Sequence, residues 1–167
     1  VLDTLGLPSA HFLGYSWGSR IGFALARYFP ERILSMVLGG CPPLQNFPPS
    51  PDPFIPFLKQ GAEAIADTWD APIPEVMRAR PGQNDAEALI AMRQCKQPSL
   101  VDVLPTMTMP CLLIAGEDDG HYENTSKIAS ELPNVEFVSI PGHNHAGTLF
   151  RSDLLLPPIL KFLSSNA

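Results

Sequence analysis

Ser16 lies between two glycines in Gly14-Tyr15-Ser16-Trp17-Gly18, where the apolar run His11-Phe12-Leu13 gives way to an amphipathic stretch. A serine hydroxyl attacks a carbonyl carbon well only when it stands clear of the backbone. A tight strand-to-helix turn achieves this by holding the serine in a strained conformation. Such a turn crowds the positions two before and two after the serine, and Gly14 and Gly18 meet the crowding by having no side chain. A helix beginning near Trp17 directs backbone N–H groups and the positive end of its dipole toward a developing oxyanion. The alternative role for this serine is that of a helix cap in a glycine-rich turn.

A serine nucleophile needs an imidazole to take its proton and a carboxylate to hold that imidazole in the right tautomer. Two later stretches offer both groups. Cys111-Leu112-Leu113-Ile114-Ala115 runs into Gly116-Glu117-Asp118-Asp119-Gly120, and Val135 to Ile140 runs into Pro141-Gly142-His143-Asn144-His145. In an open parallel sheet the reactive groups gather beyond the C-terminal strand ends, so the chain offers serine, acid and histidine at three such ends, in that order. The residues alone leave Asp118 and Asp119 open as the acid, and His143 and His145 open as the base. His11 and His121 read as structural or surface groups. A metal site from His143, His145, Asp118, Asp119, His121 and Glu123 is the weaker reading, because acid and base must meet in a triad anyway and Ser16 would have no task. No metal and no cofactor are expected.

The elements that position these groups follow from periodicity and punctuation. Val1, Leu2 and Leu5 share a face of a short helix that Gly6 ends as a left-handed cap. After the turn at Ser16, a helix ending before Pro30 places Ile21, Leu25 and Tyr28 on one face and Arg20 and Arg27 elsewhere. Arg32 to Leu38 reads as a second buried strand closed by Gly39-Gly40, and strand, helix, strand is a parallel crossover. Seven prolines between residues 42 and 56 then announce something different. Helical stretches are expected at Phe54 to Trp69, Pro74 to Ala79 and Asp85 to Lys96, rich in Phe, Trp, Met and Leu. They form a lid suited to an apolar acyl or alcohol group. Alternation resumes with strands from Cys111 and Val135, a helix from Asn124 or Thr125 to Leu132 between them, and a terminal helix from Ser152. Pro157-Pro158 must sit in the first turn of that last helix or kink it. The domain plan is a core at 1–41, a lid at 42–104 and a core at 105–167.

With 167 residues, 45% hydrophobic and 17% charged, the chain has the material for a globular core. A formal charge of −6 provides no basic surface for nucleic acid, and no apolar run is long enough for a membrane span. Cys41, Cys95 and Cys111 are odd in number and share no metal-binding spacing, so inert thiols are expected. No signal peptide is visible, and the expected location is the cytoplasm.

Together, Gly14-Tyr15-Ser16-Trp17-Gly18, Met109 to Asp119 and Pro141 to His145 resemble the C-terminal part of an α/β-hydrolase fold enzyme of the single-domain esterase, lactonase and haloperoxidase-like kind. The resemblance covers essentially the whole chain. It implies an α/β fold, a parallel sheet flanked by helices with a helical lid insertion. It implies a hydrolase of carboxylic esters or related acyl substrates, small molecules, working through an acyl-enzyme. The family's Gly-x-x-Asp spacing selects Asp119 as the acid, and Pro-Gly-x-x-His selects His145 as the base of Ser16. Trp17 then supplies an oxyanion N–H. Asp119 is followed by Gly120 where relatives commonly have proline, so Asp118 stays as the alternate acid, and His143 as the alternate base.

Relatives also have strands before the turn, with a loop that carries the second oxyanion donor. The chain is therefore expected to be a fragment of a longer gene product, its first strand an open apolar edge. Alone it is expected to be weakly active or inactive, since one lost donor costs about 10² to 10³ in turnover. The competing reading is a non-catalytic module of the same fold that binds a ligand or a partner.

Overall fold

The computed structural model describes residues 1–43, 51–61, 64, 75, 83–95 and 97–166. Its sheet has four strands, β1 (Ala10–Tyr15), β2 (Ile33–Gly39), β3 (Cys111–Gly116) and β4 (Val135–Ile140), in the order β1-β2-β3-β4 with every neighbouring pair parallel. The helices are α1 (Leu2–Leu5), α2 (Trp17–Tyr28), α3 (Ile55–Leu58), α4 (Ala86–Gln94), α5 (Tyr122–Ala129), α6 (His145–Leu149) and α7 (Ser152–Ser165).

Side chains alternate across β3, and each face of the sheet has its own core. Leu113 joins Phe23, Met36, Leu38, Leu104, Met107 and Ile128 on the face that α2 and α5 cover. Leu112 and Ile114 join Val37, Ile140, Leu155, Ile159 and Phe162 beneath α7. Every residue of β3 is buried, which is why its sequence is a continuous apolar run and does not alternate. Each such leucine contributes about 2 kcal/mol by leaving water. The first strand is the open apolar edge that was expected. Among the described strands β1 has one neighbour, β2, and it leaves Leu13 57% exposed.

α2 differs from expectation. Its buried face is Ser19, Arg20, Gly22, Phe23 and Ala26, while Ile21 and Tyr28 are exposed. Close approach decides the matter: a Cβ on Gly22 would lie 2.5 Å from Leu38 Cδ2, so the small residues face the sheet and the helix sits down on it. α5 begins at Tyr122, ahead of the expected start, because the acid loop opens it. Asp119 accepts the Tyr122 N–H at 2.8 Å with its carbonyl and the His121 N–H at 2.9 Å with its carboxylate. Pro157 and Pro158 lie beyond the first turn, and α7 runs on through them.

The chain divides into two compact units, Val1–Pro43 with Leu100–Ala167, and Leu44–Ser99. In the first, the Leu100 N–H donates to the Pro43 carbonyl at 3.1 Å, so the chain leaves and re-enters at one place. In the second, the carboxylate of Asp52 is 2.8 Å from Arg93 and accepts the Phe54 N–H, and the guanidinium of Arg93 lies 4.5 Å from the centre of the Phe54 ring. Asp85 caps α4 by accepting from the N–H groups of Glu87 and Ala88. The helix expected from Phe54 stops at Leu58, and Gly61 with φ 125° turns the chain away. The remainder of that stretch lies largely outside the described residues, as does Pro74 to Ala79 apart from Glu75. No helix among the described residues is long and apolar enough to cross a membrane.

Candidate active site

The parallel register sets where the site lies. Tyr15 pairs with Gly39 and Gly39 with Ile114, while Gly116 pairs with Ile140, so the C-terminal strand ends share one edge of the sheet. Ser16 follows β1 directly, Asp119 follows β3, and His145 opens α6 in the loop after β4.

Ser16 has φ 56° and ψ −117°, and among the described residues it is the sole non-glycine with positive φ. The strain is held by neighbours. The Ser16 N–H donates to the Gly39 carbonyl at 2.7 Å, and the buried Ser19 hydroxyl lies 2.9 Å from the Gly14 carbonyl and 2.7 Å from that of Gly39. Ser19 thus ties the first turn of α2 to both strands, a role that its place in the sequence gave no sign of. The glycines divide unequally. A Cβ on Gly14 would lie 2.5 Å from the Gly18 backbone, whereas one on Gly18 would meet nothing within 4 Å. The crowding expected on both sides is therefore confined to Gly14. Trp17 is the first residue of α2, and its N–H stands at the positive end of the helix dipole.

His145 Nε2 is 2.9 Å from Ser16 Oγ, and His145 Nδ1 is 2.8 Å from Asp119 Oδ2. A carboxylate only accepts, so Nδ1 carries the proton and Nε2 presents its lone pair to the serine hydroxyl. The Asp119 side chain is 1% exposed and that of His145 38%. Both carboxylate oxygens of Asp119 are engaged, Oδ1 by the His121 N–H and Oδ2 by His145. Asp118 is exposed, and its N–H donates to the His143 carbonyl. His143 points away, its ring between the Pro141 carbonyl and Arg151. His11 bonds Ser35 outside the site.

Three further features go beyond the sequence reading, in which His121 stood as a structural or surface group. Gly39-Gly40 ends β2, as expected, and also clears space: a Cβ on Gly40 would lie 2.8 Å from His145 Cε1 and 2.8 Å from the Tyr15 ring. His121 lies edge-on to His145 at 6.0 Å, and burial lowers its pKa, opposed by the charge of Asp119 and reinforced by His145. Arg20 is 4% exposed, and burial lowers its pKa, with Cys41 acting the other way. Burial pushes the thiols of Cys41 and Cys111 up to about 12, so both stay protonated, and all three cysteines are free. Among the described residues no three histidine, cysteine, aspartate or glutamate side chains gather as a metal-holding group.

This fold is that of known proteins. The family model described as alpha/beta hydrolase fold matches residues 1–73, which hold the serine turn and the β1-α2-β2 crossover. The enol-lactonase of Burkholderia xenovorans superposes with a TM-score of 0.80 over 98% of this chain and 68% of its own, at 24% identity. The chain has the α/β-hydrolase fold. A hydrolase from Pseudomonas aeruginosa gives a TM-score of 0.81 at 24% identity, over 97% of this chain and 67% of its own. Such identities speak for the shared fold. In sequence, this α/β-hydrolase chain is 25% identical to a putative 2-succinyl-6-hydroxy-2,4-cyclohexadiene-1-carboxylate synthase of Bacillus subtilis, over 99% of this chain and 69% of that protein. It is 27% identical to a putative carbamate hydrolase, RutD, of Stutzerimonas stutzeri, over 92% of this chain and 65% of that protein. The chain spans about two thirds of the length of these relatives.

Proposed function

We propose that this α/β-hydrolase chain carries the Ser-His-Asp site of a serine hydrolase acting on carboxylic esters or related acyl substrates. One observation carries the reading: the unbroken line from Ser16 Oγ through both ring nitrogens of His145 to Asp119, with spacings of 2.9 and 2.8 Å. That line can move a proton. His145 Nε2 takes the Ser16 proton as Oγ bonds to the carbonyl carbon, and the resulting oxyanion accepts from the Trp17 N–H. His145 then gives its proton to the leaving alcohol oxygen as the carbon–oxygen bond breaks, leaving an acyl-serine. Water, deprotonated by the same nitrogen, attacks the acyl carbon, and Ser16 recovers its proton as the acid departs. Asp119 accepts from Nδ1 throughout, fixing the tautomer and stabilising the imidazolium.

Similar proteins named for lactone and carbamate hydrolysis support the hydrolytic class, since both reactions cleave an acyl carbon–heteroatom bond. In this reading the insertion at residues 42–104 is the lid, and its apolar composition chooses the acyl or alcohol group.

A fluorophosphonate probe tests the proposal on the full-length protein. Covalent labelling that maps to Ser16, together with p-nitrophenyl ester hydrolysis that Ser16→Ala abolishes, supports it. A folded protein that neither labels nor hydrolyses the ester overturns it in favour of the non-catalytic, ligand-binding reading.

A further inference from the structure

Ser16 and His145 lie 129 residues apart, and the strands that lead to them, β1 and β4, stand at opposite ends of the sheet order with two strands between. They share no ladder directly; the ladders through β2 and β3 align their ends. Side chains that cross from one end to the other add to the hold on the 2.9 Å between Oγ and Nε2.

Tyr15 makes that crossing. Its hydroxyl donates to the His145 carbonyl at 2.7 Å, and its ring lies 5.3 Å from the imidazole, tilted by 48°. The ring rests where two glycines leave room, since a Cβ on Gly39 would lie 2.5 Å from Tyr15 Cδ2 and one on Gly40 2.8 Å from Tyr15 Cζ. Thr148, in the same helix α6 as His145, is wholly buried. The acceptor of the Tyr15 hydroxyl thus belongs to α6. Burial, followed by the charge of Asp119, raises the Tyr15 pKa far above its ordinary value, so the hydroxyl keeps its proton and remains a donor.

We infer that Tyr15 is a positioning residue: it fastens the helix that carries the base to the strand that carries the nucleophile. It holds the main chain of His145, whereas Asp119 holds the ring, so the two act on different degrees of freedom. A displacement of about 1 Å at a reacting pair costs about 10² in rate, so a single clasp on a five-residue helix has a measurable effect. The structural part of this inference stands without any reaction, while its catalytic consequence rests on the proposed hydrolase activity.

The test is Tyr15→Phe in the full-length protein, which keeps the ring and removes the donor. Amide hydrogen exchange in α6 is expected to quicken by about tenfold or more while the amides of β3 stay at their wild-type rates. With a p-nitrophenyl ester, kcat is expected to fall about tenfold with KM unchanged, and fluorophosphonate labelling of Ser16 to slow in step. Unchanged exchange in α6 overturns the inference. So does faster exchange in α6 and β3 alike, which would mark Tyr15 as a general packing residue. A wild-type protein that never labels sinks the hydrolase proposal alone, because the exchange measurement still decides whether Tyr15 holds α6.

Discussion

His143 Nε2 lies 2.7 Å from Nη1 of Arg151. A guanidinium only donates, so this nitrogen holds the lone pair, and Nδ1 carries the proton that it donates to the Pro141 carbonyl at 2.7 Å. Both ring nitrogens are committed, and neither can serve Ser16. His143→Ala should keep fluorophosphonate labelling within about tenfold of wild type, whereas His145→Ala should lose about 10³ or more. Labelling rates measured side by side decide this, and equal losses in the two variants would contradict it.

The two aspartates separate in the same way. Asp119 is buried with both oxygens occupied, and Asp118 faces solvent. Asp119→Asn should lower kcat for a p-nitrophenyl ester by about 10³ to 10⁴, because the amide admits the wrong imidazole tautomer. Asp118→Asn should stay near wild type. Steady-state kinetics of both variants give the answer.

Gly14 and Gly18 look equivalent in the motif but not in space. Gly14→Ala places a methyl 2.5 Å from backbone atoms that cannot yield, while Gly18→Ala meets open space. The first should destabilise the protein by about 2 kcal/mol or more and the second by well under 1 kcal/mol, as a helical glycine replaced by alanine can even gain. Urea unfolding midpoints of the two variants test the difference.

His121 brings an acid-sensitive contribution to stability. Burial lowers its folded pKa below the ordinary 6.5, Asp119 opposes this and His145 adds to it. Because the unfolded chain then binds the proton more readily, this contribution is fully present above pH 6.5 and is lost as the pH falls through the lower folded value. Unfolding midpoints followed from about pH 7.5 down to about pH 5 should fall less steeply in His121→Gln than in wild type. Parallel slopes would remove His121 as a source.

Much of the fold could be read from local signals. Gly6 ends α1 with φ 66°, and Cys111 to Gly116 and Val135 to Ile140 are continuous apolar or alternating runs bounded by Gly, Pro and Asn, so the strands fell where the punctuation put them. α2 was legible in extent but not in orientation. Which of its faces meets the sheet depends on how near the backbone comes, a distance fixed by Gly22 against Leu38 that hydrophobic spacing does not encode.

The sequence by itself determined that a serine, an acid and a histidine follow three of the four apolar strands of a parallel crossover fold, in that order, because strand, turn and helix propensities act over a few residues at a time. Only the tertiary structure decided that the line of hydrogen bonds runs through Asp119 and His145 and passes by Asp118 and His143. It also decided that Tyr15 closes on α6 and that Gly39-Gly40 makes room for both rings. Those choices turn on ångström-scale placement of groups brought together from distant parts of the chain, where adjacent residues of the same type differ only in the direction their side chains take.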